Sequence, residues 1–236
     1  EFAAFRFMYL QSRAIKAADP GALTTMGFVQ WNPILRTLWK PFHEGPVQGT
    51  EFSTREMAKA FDLLGIHFYP VYPGGDEEKQ LRYLEAWARW AYAGKPVILE
   101  EFNQPPAARN LAWCPRVVDR SKGLVCGWLV WTFRDTVPSD NVTEVCGLLD
   151  PSGKPTPWAE RFRELGRAVA AEKPVYMAPT RVVQVDQRRL YTSGAYRELL
   201  DGLLAAPDRD VRFEIESNAG IDRLTAGGRG TADEHR

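Results

Sequence analysis

Apolar positions change rhythm repeatedly along this chain. From Phe5 to Ala18 they recur at roughly helical spacing, at Phe5, Met8, Ala14, Ile15 and Ala18, and Asp19-Pro20-Gly21 ends the run. Proline cannot continue a helix and glycine turns easily. Ala22 to Phe28 then reads as a buried strand, followed by a long loop, 29–50, that carries Trp31, Asn32, Trp39 and His43. Ser53, with Glu56 three residues later, is a capping pattern that opens a short helix ending near Gly65. Ile66 to Tyr72 is the next strand, and Pro73-Gly74-Gly75 breaks it. Asp76 to Ala93 carries Leu81, Leu84, Trp87 and Ala88 along one side of a helix, Gly94 closes it, and "KPVILEEFN" (Lys95 to Asn103) is again a strand. Trp113 to Lys122 contains a short helix, Gly123 to Phe133 a strand, "DPSGKPTP" a turn, and Trp158 to Ala171 a helix. Strand and helix thus alternate four times, which is the signature of parallel β/α units.

The character changes at Lys173. "TRVVQVD" reads as a strand, "SGAYRELLDGLLAA" as a helix with Ser193 as its cap, and "VRFEIES" as a strand. The pattern therefore divides the chain into a β/α domain over 1–172, a small appended α/β segment over 173–226, and a disordered tail over 227–236.

Composition narrows the function classes. Thirty basic and thirty acidic residues leave a formal net charge of zero, against the basic excess usual in nucleic-acid and membrane-surface proteins. Hydrophobic residues at 44% and charged residues at 25% are an ordinary globular balance, and no apolar run is long enough to cross a bilayer. Three cysteines, Cys114, Cys126 and Cys146, lack metal-like spacing and do not make a disulfide framework, although one pair stays open in an oxidising compartment. The aromatic content, 12%, suits either a well-filled core or the flat faces of a sugar cleft.

Chemistry belongs at the C-terminal ends of parallel strands, where α/β barrels place their reactive groups. The apolar run of "KPVILEEFN" ends on Glu100 and Glu101. Side chains alternate across a strand, so Val97, Leu99 and Glu101 share one face and Ile98, Glu100 and Phe102 the other. One glutamate is therefore expected inside the barrel and the other towards the helical layer. His67 and Tyr69 share a face in the same way, as do Gly127, Leu129 and Trp131.

"KPVILEEFN" resembles the seventh-strand motif of retaining glycoside hydrolases of clan A, above all family 5-like mannanases and glucanases. A lysine-proline leads into an apolar strand there, and a glutamate precedes Phe or Tyr and usually Gly. Asn103 stands where that glycine would be. "GIHFYPVYP" is similar to the sixth strand of that family, "GWLVWTFRD" to the eighth, and "AADPGALTTMGF" to the passage into the fifth. The resemblance spans about residues 5 to 170. It implies the C-terminal half, strands five to eight, of a (β/α)8 TIM barrel, and retaining hydrolysis of a β-glycosidic bond. Glu101 takes the place of the nucleophile, His67 and Tyr69 reach the active site, and Trp131 forms the floor under the sugar. The family's acid/base glutamate, in an Asn-Glu pair on the fourth strand, is expected upstream of the chain or at its start, where Glu1 stands. A carbohydrate is the implied partner, and no metal or organic cofactor is implied. The rival expectation is a carbohydrate-binding or scaffolding barrel that keeps the cleft without the acid, or an inactive fragment.

Overall fold

A computed structural model describes residues 2–28, 54–69, 77–102, 112–135, 146–186, 189, 192–205, 211–215 and 219–227. Trp31, Asn32, Trp39, His43, Ser53 and Asn103 lie outside the described residues, as does the tail beyond Gly227. The elements are α1 (Phe2–Ala18), β1 (Gly27–Phe28), α2 (Thr54–Ala60), β2 (Leu64–Phe68), α3 (Glu77–Ala91), β3 (Val97–Phe102), α4 (Trp113–Ser121), α5 (Pro157–Glu172), β4 (Arg181–Val185), α6 (Gly194–Ala205), β5 (Val211–Ile215) and α7 (Ala219–Gly227). β1, β2 and β3 form a parallel sheet in that order. The architecture is α/β with a parallel sheet, as the alternation of rhythms implies.

Two strands differ from their expected extents. Ala22 to Met26 does not join a ladder, and only Gly27 and Phe28 pair with β2. Its polar groups go to a local turn instead: Lys16 Nζ donates to the Ala22 carbonyl, and the Thr24 amide donates to the Asp62 carboxylate at 2.8 Å. The Thr24 carbonyl accepts from the amides of Asp62 and Leu63. Gly65 does not close α2 but lies inside β2, opposite Gly27.

The segment expected as a strand over Gly123 to Phe133 is not a continuous one, yet part of it runs along β3. Cys126 donates to Val97, Leu99 to Gly127, Leu129 to Leu99 and Trp131 to Phe102, at 2.7 to 3.0 Å, with a parallel bridge between Leu99 and Trp128. It therefore serves as a fourth row of the sheet. Past Trp131 the chain turns back on itself. Leu148 donates to the Thr132 carbonyl and Leu149 to Phe133, and Asp135 Oδ1 accepts from the Gly147 amide at 2.7 Å. A side chain at Gly147 would meet the Asp135 amide at 2.6 Å, so this return fits only glycine.

One face of the sheet is entirely apolar. Leu64, Ile66 and Phe68 of β2 and Val97, Leu99 and Phe102 of β3 are wholly buried. They belong to one core with Leu81, Leu84 and Trp87 of α3. Phe68 stacks on Trp113 of α4 with ring centroids 6.2 Å apart, and Phe102 packs on Phe162 of α5 at 6.3 Å. Thr156 caps α5 by accepting from the Ala159 amide, and Pro157 occupies its first turn, where a missing N–H costs nothing.

β4 and β5 pair in parallel across α6, whose first turn is capped by Ser193 through the Tyr196 amide. This unit packs on α3 through α6 and β5, and α7 packs on α1, where Lys59 of α2 also meets Asp222. The periodicity gave no warning of α7. Cys114, Cys126 and Cys146 are all free thiols. Among the described residues no helix is long and apolar enough to cross a membrane.

Candidate active site

The other face of the sheet is notched and polar, and the notch begins with register. Gly27 of β1 and Gly65 of β2 are direct partners on neighbouring strands, so two side chains are missing side by side. A glycine inside a strand often marks a close approach by another group. Here the groups are His67 and Glu100. A Cβ at Gly65 would stand 1.7 Å from Glu100 Oε2, and one at Gly27 would stand 2.1 Å from His67 Nε2.

Glu100 shares that face with Ile98 by ordinary alternation, and Glu101 joins it because the ladder between β2 and β3 is irregular. Leu64 pairs with Val97, Gly65 with Ile98 and Ile66 with Leu99, and the register then shifts, so that His67 pairs with Glu101 and Phe68 with Phe102. Glu100 is the extra residue. A bulge of this kind opposes two residues to one and breaks the alternation of side chains. Strict alternation from Val97 and Leu99 would send Glu101 to the helical layer and leave only Glu100, with Ile98, on the notched side. The structure corrects that expectation: both glutamates face the notched side, and Phe102 still returns to the core.

Glu101 sits at the C-terminal end of β3, as the barrel rule requires. Tyr69, just past the end of β2, donates its phenol to Glu101 Oε2. His67 Nδ1 lies 3.1 Å from the same oxygen. His67 and Tyr69 are two apart and on one face, and their rings meet edge to face at 6.5 Å. The Glu101 side chain stays 24% exposed and that of His67 14%, so the carboxylate is held yet accessible.

Three of the four residues singled out from the sequence, His67, Tyr69 and Glu101, are thus in direct contact. The fourth, Trp131, lies in the adjoining row, where its amide donates to the Phe102 carbonyl at 2.9 Å. Gly127 meets the Ile98 side chain across that row, and Trp131 follows at even spacing. Its indole is 42% exposed, beside exposed Leu129 and Phe133.

The electrostatics follow from burial and from one shared charge. Burial is the first cause that pushes the Tyr69 phenol far above its usual value, followed by the hydrogen bond to Glu101 and then its charge. The phenol therefore stays a donor. Burial pushes the His67 imidazole down and the charge of Glu101 opposes it, leaving a net shift towards the neutral ring. Glu100 is pushed up, first by burial and then by the neighbouring Glu101 charge. Its Oε2 is buried with no hydrogen-bond partner among the described residues. A carboxylate that accepts from a phenol, has an imidazole beside it and keeps some solvent access can act as a nucleophile or general base, and the burial of the second carboxyl favours that group's acid form. Among the described residues no cluster of His, Cys, Asp or Glu is placed to hold a metal ion.

The sequence reading missed Glu100, Gly27 and Gly65 as parts of the site. The one signal for them was a glycine in two successive apolar stretches, and its meaning depends on register.

No family model matches the chain, and no curated protein matches it. Solved structures do match. A glutamate-to-alanine variant of a glycoside hydrolase family 5, subfamily 18 protein from Streptomyces cattleya, in complex with Manβ1-4GlcNAc, is 17% identical with a TM-score of 0.64, over 94% of this chain and 58% of that one. A corresponding variant from Bifidobacterium longum, with the same disaccharide, is 22% identical with a TM-score of 0.53, over 80% and 52%. An exo-β-1,4-mannosidase from an Opitutaceae bacterium is 21% identical with a TM-score of 0.53, over 89% and 42%. The chain therefore spans about half the length of the structures it matches. The likeness establishes a fold shared with part of these TIM-barrel glycoside hydrolases, an α/β arrangement with a parallel sheet.

Proposed function

We propose that this chain forms the C-terminal half of a (β/α)8 barrel and hydrolyses β-glycosidic bonds with retention, with Glu101 as the nucleophile. One observation carries the reading. Glu101, at the C-terminal end of a parallel strand, receives a phenol and an imidazole on the same carboxylate oxygen. In a retaining mechanism one carboxylate attacks the anomeric carbon while a carboxylic acid, about 5 Å away, protonates the leaving oxygen. The nucleophile of such a reaction must be ionised, and Tyr69 donates to Glu101 with the His67 imidazole beside the same oxygen. Trp131 offers a flat apolar face on which a pyranose ring can stack. The acid/base glutamate is assigned outside the described residues, and residues 173–226 are assigned as a small appended α/β domain.

The substrate class is a β-linked mannoside, glucoside or galactoside. The β-mannoside is the first to test, because solved structures of this fold carry Manβ1-4GlcNAc. The decisive experiment is trapping with 2-deoxy-2-fluoro β-glycosyl fluorides followed by peptide mapping. A covalent sugar on the peptide containing Glu101 is the expected result, and a label on another carboxylate would overturn the assignment.

A further inference from the structure

The sheet holds a second carboxyl that the proposed reaction does not use. Glu100 Oε2 and His67 Nε2 both lie within 3.0 Å of the point that a Gly27 Cβ would occupy. Both are therefore folded into the one notch left by Gly27 and Gly65. His67 is engaged on its other side, since Nδ1 faces Glu101 Oε2. Glu101 Oε2 thus faces Nδ1, while Glu100 Oε2 shares the notch with Nε2 without a hydrogen bond to it.

A neutral imidazole carries one N–H and one bare nitrogen, and the partner of one nitrogen decides which it is. If Nδ1 is to donate to Glu101, Nε2 must accept. Glu100 shares the notch with Nε2, and a carboxyl can donate only as the acid. We propose that Glu100 is a positioning residue: as the un-ionised acid it donates from Oε2 to His67 Nε2, and so holds the imidazole in the tautomer that donates from Nδ1 to Glu101. The inference rests on the nucleophile reading for its catalytic meaning, but the proton arrangement itself stands without it.

The surroundings agree. Glu100 is faced from β1 by Gly27 and the Met26 carbonyl, from β2 by Gly65 and His67 with Tyr69 beyond, and from β3 by Glu101. Among these groups no cation offsets a charge on Glu100, and both its burial and the Glu101 charge favour the acid form. The buried Oε2 has no partner among the described residues, and a bond to His67 Nε2, in the same notch, would satisfy it. An unsatisfied buried polar atom is costly enough to favour that bond.

The test is long-range 15N–1H NMR on the chain labelled at its three histidines, with His67→Gln assigning the signal. At neutral pH the expected pattern is His67 with its proton on Nδ1. Raising the pH until Glu100 ionises should move the proton to Nε2, because the carboxylate then accepts. Glu100→Gln, whose amide still donates, should keep the Nδ1–H form and lose the pH-dependent switch. Glu100→Met should shift the tautomer ratio about 5-fold towards Nε2–H, the weight of one ordinary hydrogen bond. An Nε2–H ring or an imidazolium in the unmutated chain at neutral pH would overturn the proposal, as would a switch that persists in Glu100→Gln. If Glu100→Met does not fold, the unmutated chain and Glu100→Gln decide alone. No substrate is involved, so a failed fluoro-sugar label beside the expected tautomer would refute the nucleophile reading and leave this one standing.

Discussion

The two faces of the β2–β3 sheet are built from the same few residues and do opposite things. On the core face, Leu64, Ile66, Phe68, Val97, Leu99 and Phe102 are wholly buried under α3, α4 and α5. On the notched face, Gly65, His67, Ile98, Glu100 and Glu101 leave room, charge and a path to solvent. The core face fixes where the strands lie, and it can do so because hydrophobic burial needs no particular orientation. The notched face spends that rigidity: three groups are held on one carboxylate and its neighbour only because the strands beneath cannot shift. Stability and chemistry are separated by half a strand pleat rather than by distance along the chain.

Breaking one face at a time sharpens that division. The largest effect expected is Glu101→Gln, which should lower kcat by about 10³-fold or more while leaving the thermal midpoint nearly unchanged, measured by hydrolysis of aryl β-glycosides beside calorimetry. Near-normal turnover would remove Glu101 from the reaction. Phe68→Ala should show the reverse, costing about 3–5 kcal/mol in denaturant titration through the cavity left against Trp113. Tyr69→Phe removes a donor to a charged group, worth about 2 kcal/mol or about 30-fold in kcat, with little change in unfolding. Gly65→Ala forces a Cβ onto the Glu100 carboxyl; about 1–3 kcal/mol of destabilisation is expected, with the His67 resonances displaced.

The smallest effect is a pH dependence. Glu100 holds its proton more tightly in the fold than in the unfolded chain, where the ordinary value is 4.5. Its protonation therefore stabilises the fold. That contribution is fully present below about 4.5 and is lost as the pH rises through the raised folded value. Unfolding midpoints of the unmutated chain and Glu100→Gln should consequently draw apart across that window, the unmutated chain losing ground as pH rises. Parallel curves would mean that Glu100 titrates alike in both states.

Much of this was legible beforehand. The helices α3 and α5 and the strand β3 are strongly periodic, and their observed limits lie within two residues of the expected ones. That His67 and Tyr69 share a face also followed from alternation, whereas Glu101 meets them through the shifted register, since alternation alone would leave it with Val97 and Leu99. β1 was over-read, because Thr24 spends its backbone on Asp62 rather than on a neighbouring strand. α7 was missed, as a short stretch with glycine and threonine among its apolar residues carries a weak helical signal.

By itself the sequence determined which stretches coil or extend and which carboxylate ends the apolar run, because periodicity and turn chemistry act between near neighbours. Only the tertiary structure decided that Glu101 and Glu100 turn to the same face. That outcome depends on a one-residue shift against β2 and on two glycines meeting across β1 and β2, and such register is set between strands far apart in the chain.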